Sequence, residues 1–193
     1  RPWKTRIAQE KGAIALINAN VTDQRHNMIV STAWGMPAAD ELHLVPDIPV
    51  ISLNREDGQI LMEICRQGRV EAVVQTETEK GFFPLLLPVA KIEGQHSEDF
   101  ILVHGHIDSW HVGITDNATG NATKLELARL FHQHRDRLQR GIVFAWWPGH
   151  STGRYAGSTW YSDHFWQTIY EHALVDINVD STGVRGATEI APK

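Results

Sequence analysis

Apolar residues along the chain fall into short runs divided by polar stretches rich in Gly, Pro and Asn. The first run, Gly12 to Ile17, reads as a buried strand, too short and too β-branched for a helix of ordinary length. Residues 18 to 49 carry little periodicity, with Asn20, Asp23, Gly35, Pro37, Asp40, Pro46 and Pro49 scattered through them, and read as a long loop region. Ile48 to Leu53 reads as a second strand, entered through a proline where no ladder donor is needed. Asn54 to Gly58 then supplies a cap and an acidic first turn, and Ile60, Leu61, Ile64 and Cys65 recur at helical spacing up to Gly68. Val70 to Thr76 reads as a third strand, followed by a charged turn at Glu77 to Gly81.

From Pro84 the pattern changes. An apolar strand over 84–92 leads through a polar turn into Phe100 to His106. A helix is expected over about 120–134, a strand over 141–147, a helix over 155–172 and a strand over 175–180. Buried strands alternating with helices predict an α/β fold with a mostly parallel, doubly wound sheet and helices on both faces. A domain boundary near Pro88 divides the chain into 1–87 and 88–193. In such sheets ligands sit outside the carboxyl ends of the strands, and His106, the loop after Trp147, and Asp180 each stand at such an end.

The stretch with the most chemistry is Phe100 to Asn121. His106 and Asp108 lie two positions apart at a strand end, a spacing that in extended chain puts both side chains on one face. One can bind a metal while the other steers it, because a ligating imidazole usually gives its other N–H to a carboxylate. A hydrogen-bonded His–Asp pair with no metal is the competing reading. Asp116, eight residues beyond Asp108, lies in a loop that opens a helix and has two oxygens, enough to bridge two metals.

Composition narrows the classes. The chain has 193 residues, 42% hydrophobic and 21% charged, with a net charge of −5 and no clustering of Lys and Arg, so nucleic acid is not an expected partner. It has no apolar run long enough to span a membrane. It opens on Arg1-Pro2-Trp3-Lys4 with neither an initiating Met nor a signal-type apolar region, which reads as a fragment lacking its beginning and leaves the compartment undecided between cytoplasm and export. The single cysteine, Cys65, rules out an internal disulfide framework and reads as a small buried hydrophobe. His26, His43, His132, His134 and His172 fall in surface contexts. Trp146, Trp147, Trp160 and Trp166 read as core or pocket wall, and Trp110 as cleft lining or packing. The sequons at Asn20, Asn117 and Asn121 read as chance occurrences.

With His106-x-Asp108, Asp116-Asn117-Ala118-Thr119-Gly120, Gly157-Ser158-Thr159-Trp160 and Asn178-Val179-Asp180 in order, the chain resembles metallopeptidase family 28. Members are co-catalytic zinc aminopeptidases and their glutamate carboxypeptidase and transferrin-receptor relatives. Residues 1 to about 83 are similar, less specifically, to the protease-associated domain often inserted in these enzymes, so the smaller α+β part is expected to be a partial domain of that kind. The resemblance implies His106, Asp116 and Asp180 as ligands of one zinc, with Asp116 bridging to a second and Asp108 steering His106. Zinc takes such nitrogen and oxygen ligands at about 2.0 to 2.2 Å, and a zinc pair about 3.5 to 4 Å apart polarises a carbonyl and activates water together. The implied activity is that of a zinc-dependent exopeptidase of the aminopeptidase type. The implied partners are a peptide substrate and, in a homodimer, a second copy of the chain.

Two departures from the family's pattern stand out. The family places two adjacent Glu residues after the strand that corresponds to Gly141–Trp147, a general base and a zinc ligand. Here the loop Trp147-Pro148-Gly149-His150-Ser151-Thr152-Gly153 has no carboxylate. His150 is its only group able to take a proton or bind a metal near neutral pH. Alignment on Gly153 puts His150 at the base position, and alignment on Gly157-Ser158 puts Ser151 there. The family's last zinc ligand is a distant histidine with no counterpart before Lys193. The competing expectation is therefore a non-catalytic binding protein on the same fold.

Overall fold

The computed structural model describes residues 4–21, 23, 40–79, 81–109, 112–151, 155–183 and 185–186. The chain divides into two compact units, Arg1–Phe83 and Pro84–Lys193. Much of the loop expected over 18–49 lies outside the described residues, as do Trp110 and Gly153.

In the first unit a short helix not foreseen from the sequence, α1 (Lys4–Glu10), precedes β1 (Leu16–Ala19), which pairs in parallel with β2 (Val50–Leu53). Helix α2 (Arg55–Gln67) starts where the sequence places it, because the Asn54 side chain accepts the Asp57 N–H at 2.7 Å and Glu56 and Asp57 complement the helix's positive end. Two expectations fail here. Residues 69–79 form no strand: Val70 and Val73 are exposed, and β-branched residues make a strand only where another strand offers its edge. Cys65 is exposed rather than buried, on a helix whose Ile60, Met62 and Ile64 are also exposed and whose one buried residue is Gly58.

The second unit is a four-stranded sheet in the order β3-β5-β4-β6. Strand β3 (Val89–Ile92) runs antiparallel to β5 (Gly141–Trp147), whereas β4 (Phe100–His106) lies parallel to both β5 and β6 (Ala173–Asn178). The expected strand over 84–92 forms only at its end, after Pro84 and Pro88, which have no N–H to give to a ladder. Helix α3 (Gly120–Gln133) covers one face through Leu127, Ala128 and Phe131, packed on Ile92, Val103, Ile142, Phe144 and Val179. Helices α4 (Ala156–His164) and α5 (Trp166–His172), expected as one helix, are separated at Phe165. Tyr161 and Ile169 from them pack on Phe100, Leu102, Val143, Ala145 and Trp147 of the other face. Alternate residues of β4 and β5 thus feed two apolar layers, so β5 reads as an unbroken apolar run and β4 as one from Phe100 to Val103. Trp147 belongs to this core, while Trp160 and Trp166 are exposed.

Because β4 leads through α3 to β5 on one side, and β5 leads through α4 and α5 to β6 on the other, the chain reverses its winding at β4. That reversal opens a crevice at the carboxyl ends of the three parallel strands.

Candidate metal centre

His106 ends β4 at this crevice and is 3% exposed. Its Nδ1 lies 2.7 Å from the backbone oxygen of Asp108. A carbonyl only accepts, so Nδ1 carries the proton and Nε2 faces outward. Nε2 lies 2.6 Å from Asp116 Oδ1 and 3.4 Å from Asp180 Oδ1. The three donor atoms lie within 4.8 Å of one another, one imidazole nitrogen and two carboxylate oxygens from three separate segments. This donor set suits zinc, which takes nitrogen and oxygen at short range.

Asp108 meets His106 Nδ1 at hydrogen-bond distance through its backbone oxygen. Its carboxylate stands 3.9 Å from His106 Nδ1, and the chain turns so that its carbonyl does the steering. The carboxylate accepts the backbone N–H groups of His150 at 3.0 Å and Ser151 at 2.8 Å. Asp108 therefore ties the loop after β4 to the loop after β5.

That second loop brings His150 over the site. Its ring stacks on His106 with centroids 4.2 Å apart and planes 15° apart, and meets Tyr155 edge-on at 4.9 Å. Burial, then the neighbouring His106, holds the His150 pKa below the ordinary histidine value, against the opposing pull of Asp108, Asp180 and Asp116. The ring is accordingly held in its neutral, proton-accepting form. Ser151, the alternative at this position, is 2% exposed and its Oγ has no hydrogen-bond partner among the described residues.

Three residues that sequence reasoning passed over hold the centre together. Asn117 is 1% exposed. Its Nδ2 donates to the carbonyls of His106 at 3.1 Å and Val179 at 3.2 Å, and its Oδ1 accepts the Ser181 N–H at 3.0 Å. It links the ends of β4 and β6 from the turn that carries Asp116, and such a buried amide is no site for a glycan. Gly120 follows at the start of α3, where a Cβ would overlap Asn117 Oδ1 and stand 2.7 Å from the Val179 oxygen. Lys124, on the same helix, is fully buried, and its Nζ donates to the carbonyls of Gly105 at 2.8 Å and Ala145 at 3.2 Å. A sequence signal existed for Lys124, since it shares the i, i+3, i+4, i+7 stripe with Leu127, Ala128 and Phe131.

His104 lies two residues before His106 on the same face of β4, yet takes the opposite tautomer. The Trp147 indole N–H, which only donates, points at its Nδ1 at 2.7 Å, so Nε2 carries the proton and gives it to Asp176 at 2.6 Å. Its lone pair is used within the protein, whereas the Nε2 of His106 points at acids.

The sequence profile of Peptidase family M28 matches residues 89–191, just over half the chain. The chain belongs to peptidase family M28. It is 33% identical over 102 residues to aminopeptidase NAALADL1 of Rattus norvegicus, covering 50% of this chain and 14% of that protein. It is 29% identical over 126 residues to carboxypeptidase Q of Xenopus laevis, covering 62% and 27% respectively. A solved M28 peptidase precursor from Shewanella amazonensis has a similar fold, with a TM-score of 0.56 and 18% identity over 90% of this chain and 39% of that one. The chain spans well under half the length of each of these M28 relatives. The matched family and the names of these relatives are those of peptidases, and no helix among the described residues is long and apolar enough to cross a membrane.

Proposed function

We propose that this chain carries one metal-binding wall of a zinc-dependent exopeptidase of the aminopeptidase type. The observation that carries the proposal is the convergence of His106 Nε2, at the end of β4, with Asp116 from the turn before α3 and Asp180 just beyond β6, with the His106 tautomer already set by Asp108. His106, Asp116 and Asp180 would hold the ion, and Asp116, whose side chain is 52% exposed, has an oxygen to share with a second one. An ion bound there supplies Lewis acidity toward a scissile carbonyl and lowers the pKa of water beside it. The residues of the chain do the rest. Asp108 fixes the His106 ring through its carbonyl and the His150 loop through its carboxylate. His150, held neutral and stacked above His106, is the group placed to accept a proton or to serve as a further ligand.

We assign the first unit to a partial protease-associated domain, on the support of its parallel β1–β2 pair and the capped helix α2 that follows. The aminopeptidase reading follows the name of one relative; carboxypeptidase Q shows that names within the family also point to the other end of a peptide.

The test is zinc content and hydrolysis of aminoacyl-nitroanilides by the protein that carries this chain, wild type against His106→Ala. Wild-type protein should bind zinc and cleave, and the variant should lose both while remaining folded by circular dichroism. A folded wild-type protein without zinc refutes the proposal, and zinc binding without cleavage of any peptide tried leaves a binding protein on the peptidase fold.

A further inference from the structure

Lys124 is fully buried beside the strand end that carries His106. Its two hydrogen-bond acceptors are neutral carbonyls at the ends of neighbouring strands, and one of them belongs to Gly105, the residue before His106. Trp146 stands beside it, with Nζ 5.2 Å from the ring centroid. The approach is tight enough that a Cβ at Gly105 would come within 3.1 Å of Nζ. Neutral carbonyls hydrate a buried charge without balancing it, and a lysine with no exposed surface needs a compensating acid to remain an ammonium. The same Cβ position at Gly105 would collide with the backbone oxygen of Val179, so Nζ lies beside the segment that leads directly into Asp180, one of the proposed ligands; Asp180 is the acid whose charge favours the ammonium, against a burial that lowers the Lys124 pKa to about 8.

We propose that Lys124 is a positioning residue that acts as the internal counter-charge of the His106–Asp116–Asp180 cluster, stabilising the ion-free arrangement and weakening the site's hold on a divalent cation. The inference rests on the reading of those three residues as metal ligands. Two effects have the same sign. A fixed ammonium repels an incoming divalent cation across an interior that screens poorly. It also offsets the mutual repulsion of the carboxylates when no ion is present, so its removal raises the free energy of the empty site more than that of the filled one. A lysine that served only as a clamp on the β4 and β5 carbonyls would act in the opposite direction, since its loss would loosen His106 and weaken binding.

The experiment is the affinity for Zn2+ alone, measured at pH 7 by competition with a chromophoric chelator, for wild type, Lys124→Met and Lys124→Gln. Methionine matches the length of the stem without charge, and glutamine keeps a donor for the strand carbonyls. Circular dichroism establishes folding in each. Both folded variants should bind Zn2+ at least about tenfold more tightly than wild type. Unchanged or weaker binding in a folded variant overturns the proposal, and so does failure of both variants to fold, which would make Lys124 a structural clamp. Wild-type protein that binds no Zn2+ refutes instead the ligand assignment beneath it.

Discussion

Replacement of Asn117 by alanine tests whether the centre is built before any ion arrives. Asn117 makes three hydrogen bonds, two buried ones to His106 O and Val179 O and a partly buried one from Ser181 N, that bring together the end of β4, the segment after β6 and the turn carrying Asp116. A typical bond of this kind contributes a net of about 1 kcal/mol, and a buried group left without a partner costs about 1 to 3 kcal/mol. At 1% exposure the site offers little room for replacement water, so Asn117→Ala should destabilise the sheet unit by about 3 to 5 kcal/mol. Asn117→Asp is the sharper variant. It keeps an oxygen for the Ser181 N–H but turns oxygen toward two carbonyls where N–H groups stood, and should cost at least as much as alanine. Urea unfolding followed by tryptophan fluorescence reads both, as a lower midpoint at unchanged slope. A loss under about 1 kcal/mol for alanine, or an aspartate variant as stable as wild type, would show that the end of β4, the segment after β6 and the Asp116 turn are held by something other than this amide.

Two further outcomes concern protons. His104 has its pKa lowered, first by burial and against the attraction of Asp176; the unfolded chain therefore takes up the proton first, and stability should fall as the pH drops below the ordinary value of 6.5. His104→Gln should flatten that acid-side loss, and nitrogen NMR should find His104 protonated at Nε2 and His106 at Nδ1; the same tautomer for both would contradict the hydrogen-bond assignment. Lys124 gives the opposite end of the scale, since its pKa of about 8 against an ordinary 10.5 means that the unfolded chain holds the proton longer. Stability should rise between those values, by at most about 3 kcal/mol at about 1.4 kcal/mol per pH unit, and a Lys124→Met chain that kept this rise would refute the attribution.

The parts of the fold that the sequence revealed are those where a residue's environment follows from its neighbours along the chain. Strands β4 and β5 are buried on both faces, so β4 reads as an apolar run from Phe100 to Val103 that continues into His104-Gly105-His106, β5 reads as an apolar run over Gly141–Trp147, and both were placed to the residue. Residues 70–76 have the same β-branched character but no strand to pair with, and pairing is not written locally. The break at Phe165 escaped notice because the aromatic pattern of Trp160, Tyr161 and Phe165 continues across it, and the rings of Tyr161 and Phe165 pack together at 4.8 Å. Cys65 was misplaced because helical spacing shows which residues share a face, without showing whether anything covers it.

The site divides along the same line. The proposed ligand triad was visible because each member stands at a predicted strand or helix end, where an α/β sheet gathers its ligands. The bonds that set the geometry were not visible, because each joins residues far apart in sequence. Asp108 reaches across 42 positions to His150 and Asn117 across 64 to Ser181. The contrast between His104 and His106 shows why such bonds decide the chemistry. The two rings share a strand face and differ by two positions, so local pattern makes them equivalent. Trp147, 43 positions from His104, takes up the Nδ1 lone pair of one and leaves its Nε2 as a donor. The Asp108 carbonyl takes the Nδ1 proton of the other and leaves its Nε2 facing two carboxylates. A metal needs a lone pair, and in this strand only His106 presents one toward acids. Which of the two histidines is free to serve as the proposed ligand is thus set by an indole and a carbonyl rather than by the histidines themselves.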